Sequence, residues 1–425
     1  MKILDSRKIF FYSELDKVLD RRKVVDKSTL KTVERIINDV RKNKDKALIR
    51  YEKRFNSNSR IIPSNKDISR AIKSIDPKIK KAIDETCKRV KDWHLKQKPK
   101  DIFYKDNLNN KFYYKNKAIN SVACYVPGNL PSSLIMSAVP AIIAGVKRIV
   151  LCTPSLNGKL NGSVYYTAKK LGIKEYYSLG GASAIMALAM GTKKVKAVNK
   201  VVGAGSKWVA LAKKKVFLEG LCGVEAANYG PSEILLIADS FTSPDIAASS
   251  MIAQSEHSPE AMSILLTKDF KLIKKIKSSI KVQLKDLPRN KIARKSLDNY
   301  GIIIYVKEDK KIISICDYIG PEHVEILSKN YKKYLNCNLI AGSVCIGPYS
   351  SMALSDYGPT QHSLPTISSA KFSSGLSVKD FLTQTSYNEL SKKGVAKLGK
   401  SGILLSETES LIGHTRSIKK RMEKK

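Results

Sequence analysis

The chain has 425 residues, of which 43% are hydrophobic and 7% aromatic. This length is greater than one ordinary hydrophobic core supports, so we expect at least two domains. The composition excludes an intrinsically disordered protein. Lys and Arg number 77 against 38 Asp and Glu, which gives a net charge of +39. The basic residues are spread along the chain and form no Arg-rich block with interleaved aromatic residues, so we expect no nucleic-acid partner.

The N-terminal sequence and the cysteine spacing indicate in which cellular compartment the protein works. Residues 1–23 carry charges throughout and contain no apolar stretch long enough for a signal peptide. The most apolar run, 132–146, is too short to span a bilayer. The seven cysteines include no C-x-x-C pair, which argues against a disulfide framework and a thiolate metal site. We therefore expect a cytoplasmic protein without a membrane segment.

In chain order, apolar residues at helical spacing predict helices over 13–55 and 65–97. From about residue 119, short β-branched runs alternate with helical segments, and the run 215–219 is predicted as a strand. From about residue 376 the pattern is helical to the end of the chain. Strand and helix in alternation predict parallel sheets with helices on both faces. The predicted fold class is α/β, with two doubly wound units and helical extensions at the N- and C-termini.

Four loops in this alternating region contain glycine and other small residues. They read YVPGN (125–129), SLGGAS (178–183), VGAGS (202–206) and YGPSE (229–233). Glycines at the carboxyl ends of parallel strands let backbone amides approach a ligand, and a following helix start favours an anion. None of the loops is a G-x-G-x-x-G fingerprint, but together they predict a nucleotide crevice.

The stretch AQSEHSPEA contains one of two Glu-His pairs in a chain with five histidines. Ser243 predicts the start of a helix that runs to about His257. Gln254 and His257 are three residues apart and share a helix face, whereas the adjacent Glu256 projects elsewhere. The candidate pair of ligands is therefore Gln254 with His257, and Glu256 is the bystander.

Other oxygen and imidazole side chains lie downstream. LSDYGPTQHSLPT contains Asp356 and His362 in a loop rich in Gly and Pro, and SETESLIGHTRSI contains Glu409 and His414 in a helical stretch. A site built from oxygen and imidazole ligands without thiolate is consistent with zinc, manganese or cobalt.

The second Glu-His pair, Glu322 and His323, follows a Gly-Pro break and precedes a strand-like run in YIGPEHVEI. On turn or extended backbone, neighbouring side chains can flank a substrate. A carboxyl group and an imidazole placed in this way can act as acid and base. The alternative is a pair of surface residues at a turn.

Six motifs, taken in order, resemble those of the histidinol dehydrogenase family. They are GPSEILLIAD, AQSEHSPEA, GPEHVEI, LSDYGPTQHSLPT, FSSGLSVKDF and ESLIGHTRSI, and the resemblance extends over nearly the whole chain. It implies two incomplete Rossmann-like units with an aldehyde-dehydrogenase-like fold. It also implies an intertwined homodimer that oxidises L-histidinol through the aldehyde to L-histidine with NAD and one zinc ion per subunit.

The resemblance implies four domains. Their predicted bounds are 1–21 for an N-terminal helical extension, 22–124 plus 234–375 for the α/β domain with the metal and acid/base residues, 125–233 for the α/β domain with the NAD loops, and 376–425 for a C-terminal helical extension that links the dimer.

The resemblance also assigns roles to individual residues. The implied zinc ligands are Gln254, His257, Asp356 and His414, the last supplied by the partner subunit. The implied acid/base pair is Glu322 and His323. The implied substrate-binding residues are Ser232, His362 and Glu409, together with His323 and the four zinc ligands. The implied cofactor-binding residues are Tyr125, Ser183 and Ser206.

Two of these positions depart from the family pattern. Ser183 stands where a glutamine is usual, and Ser206 stands where an asparagine is usual. Both changes remove amide groups that could form hydrogen bonds with the cofactor. These two changes motivate one alternative, a paralogue that oxidises another small polar alcohol or diol, such as a sulfonated diol. The net charge of +39 motivates a second alternative, a catalytically weak homologue used as a basic binding protein.

Overall fold

The computed structural model describes residues 1–22, 27–225 and 230–423. The chain divides into two compact units. The first unit comprises Met1–Gln97 and Asn120–Asp380, and the second comprises Lys98–Ile119 and Phe381–Lys425. The four domain boundaries predicted from the sequence stay a prediction.

In the described residues the strands are β1 (Lys2–Asp5), β2 (Ile102–Lys105), β3 (Lys111–Ala118), β4 (Ser121–Tyr125), β5 (Arg148–Cys152), β6 (Glu175–Tyr177), β7 (Lys200–Val202), β8 (Gly223–Val224), β9 (Glu233–Ala238), β10 (Met262–Thr267), β11 (Gly301–Tyr305), β12 (His323–Ile326), β13 (Ser343–Ile346) and β14 (Leu382–Glu389). The α-helices are α1 (Phe11–Leu19), α2 (Lys27–Asn56, kinked at Lys44), α3 (Asn65–Lys73), α4 (Pro77–Leu95), α5 (Pro131–Ala144), α6 (Gly162–Lys170), α7 (Gly181–Met190), α8 (Lys207–Leu218), α9 (Pro244–Ser255), α10 (Phe270–Gln283), α11 (Asn290–Tyr300), α12 (Asp309–Ile319), α13 (Met352–Ser355), α14 (Lys392–Thr408) and α15 (Ile412–Met422). No helix in these ranges is both long and apolar enough to cross a membrane.

The first unit contains a parallel five-stranded sheet with the order β6-β5-β4-β7-β8. Numbered within this sheet, the order is 3-2-1-4-5, the arrangement found in dinucleotide-binding folds. The order reverses between β4 and β7. The loops that leave the carboxyl ends of these two strands therefore flank the crevice where such sheets bind ligands.

The first unit also contains a parallel six-stranded sheet with the order β1-β11-β10-β9-β12-β13. Alternate side chains along β9 enter two different cores, as the period of a strand requires. Leu235 and Ile237 pack with residues of α1 and α12, whereas Ile234 and Leu236 pack with residues of α9, α10 and α11. Helices therefore cover both faces of the sheet, and the predicted doubly wound α/β fold is confirmed.

The second unit has a three-stranded antiparallel sheet with the order β14-β3-β2, followed by α14 and α15. A buried hydrogen bond of 2.6 Å joins Ser406 Oγ to Thr415 Oγ1 and ties the two helices together near their connection. Gly399 lies against Met422, and a Cβ atom at this glycine would be 2.5 Å from the Met422 sulfur. The two helices therefore form a close-packed antiparallel pair.

Several predicted elements were wrong. Residues 215–219 were predicted as a strand, but most of the run continues α8 because its apolar side chains fit helical spacing as well. The region from 376 is not helical throughout, since β14 pairs with β3 before the helices begin. The N-terminal segment is not wholly helical either, because β1 forms an edge of the six-stranded sheet.

Candidate active site

Glu322 and His323 lie where β12 begins, at the amino end of the six-stranded sheet. β12 runs between β9 and β13, with His323 opposite Ile234 on one side and Ser343 on the other. The Glu233 backbone N–H donates to Glu322 Oε2 at 2.9 Å. Glu322 Oε1 lies 3.9 Å from His323 Nε2. The structure thus brings the predicted acid/base pair together, with both side chains buried and held by neighbouring strands.

Burial shifts the two groups in opposite directions. It raises the pKa of Glu322 to about 8, and the negative charges of Glu233 and Asp356 act in the same direction. It lowers the pKa of His323 to about 3, and repulsion from other imidazoles adds to this effect. His323 Nδ1 is buried and has no hydrogen-bond partner within the described chain. At neutral pH the pair is therefore mainly a protonated carboxyl group beside a neutral imidazole, that is, a proton donor next to a proton acceptor.

Gln254 lies in the last turn of α9, a helix that begins where Ser243 Oγ accepts a hydrogen bond from the Ile246 N–H. The helix ends at Ser255, two residues earlier than predicted, and His257 follows it. Gln254 is 1% exposed, yet neither its Oε1 nor its Nε2 has a hydrogen-bond partner in the part of the chain described. A fully buried amide without partners is energetically unfavourable, which indicates that a ligand completes its environment.

His257 and Asp356 line the same surface depression, which has a volume of about 150 Å³. Its other lining residues are Ala253, Glu256, Arg289, Met352, Ala353 and Tyr357. Burial lowers the pKa of His257, and it raises the pKa of Asp356 to about 7. Surrounding protein atoms thus partly desolvate the imidazole, although His257 as a residue is still exposed to solvent at the wall of the depression. The structure therefore brings two of the predicted zinc ligands together and adds Glu256, the predicted bystander, to the same wall.

His362 follows Asp356 in the loop after α13. Its Nδ1 is 3.1 Å from the Asp356 carbonyl oxygen and 3.8 Å from Asp356 Oδ1. Burial lowers the pKa of His362 to about 4; the hydrogen bond with the Asp356 carbonyl opposes this shift, and repulsion from His257 contributes to it. Charges on His257 and His362 likewise disfavour the protonated form of His323. The three imidazoles therefore form one electrostatically coupled group.

Ser232 is partly buried and comes directly before β9, next in the chain to the residue that holds Glu322. The predicted loop 229–233 that contains it begins at Tyr229, which lies outside the described residues. The Ser232 carbonyl accepts a hydrogen bond of 2.9 Å from the Met262 N–H. The strand pairing of β9 and β10 thus extends one residue further and fixes the backbone at Ser232.

Glu409 and His414 belong to the second unit. Glu409 directly follows α14, and His414 lies in the first turn of α15. Both side chains are exposed. Ser410, between the two helices, has a positive φ of 59°, which makes the chain reverse sharply at this point.

The predicted cofactor loops lie at the carboxyl edge of the five-stranded sheet. Tyr125 ends β4, and its hydroxyl oxygen accepts a hydrogen bond of 3.1 Å from the Gly181 N–H at the start of α7. Gly203 follows β7 with a φ of +110°, and any Cβ atom there would overlap the Tyr125 carbonyl oxygen. Two of the loops therefore converge on Tyr125, beside the point where the strand order reverses.

The two substituted positions in these loops differ in exposure. Ser183 is buried, and its hydroxyl donates to the Gly180 carbonyl at 3.0 Å. Ser206 is exposed and precedes α8 without a side-chain capping bond. Ser183 therefore stabilises the first turn of its own helix, whereas the Ser206 hydroxyl is available at the loop surface.

Glu52, a buried carboxyl group of α2 behind these loops, was not among the predicted site residues. Glu52 Oε1 accepts a hydrogen bond of 2.7 Å from the Gly180 N–H, and Oε2 accepts one of 2.7 Å from Asn56 Nδ2. The sequence could have indicated its burial, because Glu52 lies four residues after Leu48 and this spacing places both on the buried face of the helix.

Comparison with known proteins decides the family. The sequence model of histidinol dehydrogenase matches residues 19–422. The histidinol dehydrogenase of Pelagibacter ubique is 50% identical over 429 residues, with all of both chains covered. The histidinol dehydrogenase 1 of Trichormus variabilis is 38% identical, with 96% of this chain and 95% of that protein covered. This chain belongs to the histidinol dehydrogenase family.

A solved structure agrees with this assignment. Histidinol dehydrogenase from Elizabethkingia anophelis superposes on this member of the family with a TM-score of 0.92 and 29% identity, over 100% of this chain and 98% of that one. The predicted family, the fold class and the assignment as an oxidoreductase are confirmed.

The side chains present fit the zinc ion that the family implies. Gln254 offers an unpartnered amide oxygen, His257 a neutral imidazole and Asp356 a carboxyl group, which are ligand types that zinc accepts once the carboxyl group is ionised. Among the described residues, no group of three or more His, Cys, Asp or Glu side chains suffices to hold a metal ion.

Proposed function

We propose that this chain oxidises L-histidinol through L-histidinaldehyde to L-histidine, as a cytoplasmic homodimer that uses NAD and zinc. The observation that carries the proposal is the buried pair Glu322 and His323 with opposed pKa shifts, next to the depression lined by His257 and Asp356. An oxidation in two stages needs a group that removes a hydroxyl proton and a group that activates water. The pair offers one of each.

The proposed zinc ligands are Gln254, His257, Asp356 and His414 of the partner subunit. When bound, zinc would orient the amino alcohol and NAD would accept a hydride in each of the two stages. The lowered pKa of His257 keeps its imidazole neutral, as a metal ligand must be. Ser232 and His362 are proposed to contact the substrate from the first unit, and Glu409 is proposed to pair with its ammonium group.

In the first stage, the neutral imidazole of His323 takes the hydroxyl proton of the alcohol. In the second stage, Glu322 activates the water that adds to the aldehyde, and His323 takes the hydroxyl proton of the hydrate. Because the pKa of Glu322 is raised to about 8, its carboxylate is the minor form at neutral pH. The aldehyde stage is therefore expected to gain rate as the pH rises towards 8, whereas the alcohol stage does not require the carboxylate.

On the cofactor side, Tyr125, Ser183 and Ser206 are proposed to line the NAD site. Tyr125 is anchored by Gly181 and abuts Gly203, so it spans two of the loops at the carboxyl edge of the sheet. Ser206 is exposed beside the start of α8, where backbone N–H groups favour an anion. These features support a dinucleotide in the crevice between β4 and β7.

The test is turnover of L-histidinol and of L-histidinaldehyde by the zinc-loaded protein, followed as NADH. Glu322→Gln is expected to spare the alcohol stage and to slow the aldehyde stage by roughly 100-fold or more, which is the range for losing a general base. Glu308→Gln, an exposed carboxyl at the start of α12, is the matched control and is expected to retain both rates.

A panel of small diols, including a sulfonated diol, completes this experiment. NADH formation from a diol but not from L-histidinol would overturn the proposed substrate. An equal loss of both stages in Glu322→Gln would overturn the assignment of water activation to this carboxyl group.

A further inference from the structure

Arg22 is a buried arginine in the 3-10 turn Asp20–Arg22, and its side chain is 2% exposed. Its guanidinium lies against the segment that enters β9. Arg22 Nη2 donates to the Ser232 carbonyl at 3.2 Å and also to the Pro231 carbonyl. Arg22 Nε donates to the Glu260 carbonyl at 3.1 Å. One side chain thus binds three backbone carbonyls from the segments that precede β9 and β10.

Arg22 also forms an ion pair with Glu233. Arg22 Nη1 is 3.3 Å from Glu233 Oε1, and the Glu233 side chain is 1% exposed. The same carboxylate accepts a hydrogen bond from the Ile367 backbone N–H. An ion pair buried this completely requires several bonds to compensate for desolvation, and the planar guanidinium with five donors can supply them.

Glu233 connects this ion pair to the proposed acid/base pair. Its backbone N–H is the donor that holds Glu322 Oε2 at 2.9 Å, and Glu322 Oε1 faces His323. The Glu233 carboxylate raises the pKa of Glu322, and the Arg22 charge opposes that effect. The Arg22 guanidinium therefore contacts Glu233 directly, and Glu233 in turn contacts the Glu322 carboxyl group.

We propose that Arg22 is a positioning residue for Glu322: by fixing the carbonyls of Pro231 and Ser232 and the carboxylate of Glu233, it aims the Glu233 N–H at the Glu322 carboxyl group. The proposal rests on the proposed function, in which Glu322 activates water in the aldehyde stage. A shift of about 1 Å in a reacting group costs roughly 100-fold in rate, so a side chain that does not touch the substrate can govern the reaction.

The test uses Arg22→Met and Arg22→Lys in the full-length, zinc-loaded protein. Arg21→Met is the matched control, because Arg21 is exposed and donates only one bond, of 3.2 Å, to the Asn299 carbonyl among the hydrogen bonds described. Arg22→Met is expected to lower kcat for L-histidinaldehyde by roughly 10- to 100-fold and kcat for L-histidinol by a clearly smaller factor. Arg22→Lys keeps the charge but loses the fork of donors, and it is expected to restore part of the aldehyde rate.

A double variant separates positioning from a general effect on folding. If Arg22 acts through Glu322, Arg22→Lys should slow the aldehyde stage much less in the Glu322→Gln background than in the wild-type background. Additive losses, equal losses in both stages, or wild-type rates in Arg22→Lys would overturn the proposal. If Arg22→Met does not fold, Arg22→Lys and its double variant decide the question alone.

The failure of the underlying function has a different signature. It is seen in proteins that keep Arg22. The wild-type protein would not turn over L-histidinol, or the Glu322→Gln variant would retain the wild-type rate with L-histidinaldehyde. Either result removes the role assigned to Glu322, and the positioning role of Arg22 falls with it. A wild-type enzyme with the expected Glu322→Gln defect, but with no stage-selective defect in Arg22→Lys, overturns only the proposal for Arg22.

Discussion

The substitution Glu52→Gln should stabilise the protein in a pH-dependent manner. Glu52 is 1% exposed, and its two carboxyl oxygens accept hydrogen bonds from the Gly180 N–H and from the Asn56 side-chain amide. Both donors are neutral, so they offset little of the penalty for burying a charge. Burial accordingly raises the pKa of Glu52 from 4.5 to about 7.

The magnitude follows from the linkage between protonation and folding. Below pH 4.5 the Glu52 carboxyl is protonated in the folded and unfolded states, and it carries no penalty. As the pH rises towards 7, the unfolded chain releases this proton before the folded chain does, so the free energy of unfolding falls. The rise in pKa from 4.5 to about 7 lowers the free energy of unfolding by about 3 kcal/mol above pH 7. The Gln side chain removes this penalty and sacrifices about 1 kcal/mol of hydrogen bonding with Asn56.

The assay is urea unfolding at pH 5 and pH 8, compared between wild type, Glu52→Gln and Glu34→Gln. Glu34 is an exposed carboxyl of the same helix and serves as the control. We expect Glu52→Gln to raise the free energy of unfolding by about 2 kcal/mol at pH 8 and by little at pH 5. A gain of equal size at both pH values, or a loss at pH 8, would refute the assignment of an uncompensated buried carboxylate.

Three further predictions concern the metal site and the cofactor loops. His257→Ala is expected to abolish stoichiometric zinc binding, measured by metal analysis after gel filtration, and an unchanged zinc content would contradict the ligand assignment. Glu325 Oε1 accepts a hydrogen bond of 2.6 Å from the Met352 N–H at the start of α13, the helix that precedes the proposed ligand Asp356. Glu325→Ala removes this support and is expected to weaken zinc binding by roughly 10- to 100-fold in a calorimetric titration. Gly203→Ala forces a Cβ atom into the Tyr125 carbonyl at a φ of +110°. We expect it to lower the free energy of unfolding, measured by thermal unfolding, by about 2–4 kcal/mol. Gly172 also has a positive φ, of +74°, but a Cβ atom there would meet no other atom within 4 Å. Gly172→Ala is therefore the control and should lower the free energy of unfolding by only about 1 kcal/mol.

The alternating pattern was sufficient to predict the parallel sheets, because strands that are buried on both faces read as continuous apolar runs. The runs EILLIA and MSILLT are entirely buried as β9 and β10. The antiparallel sheet of the second unit escaped prediction for the opposite reason. β14 is exposed along nearly its whole length and β2 along all of it, so neither shows the apolar alternation that identifies a strand.

The candidate site was predictable by residue type but not by position on the sheet. In open parallel sheets, ligands usually bind at the carboxyl ends of strands. Glu322 and His323 lie instead at the amino end of β12, next to the residue that begins β9. Only the register between these two strands shows that Glu233 holds Glu322, because the two residues are 89 positions apart in the chain.

The two Glu-His pairs show how backbone geometry separates similar sequences. Glu256 directly follows α9, and His257 comes next on the wall of an open depression, where desolvation disfavours the imidazolium and the Glu256 charge favours it. Glu322 precedes β12 and His323 begins it, so strands on both sides enclose the pair and remove it from solvent. An exposed imidazole beside a depression is open to a ligand, whereas an enclosed pair of oppositely shifted groups is suited to proton transfer.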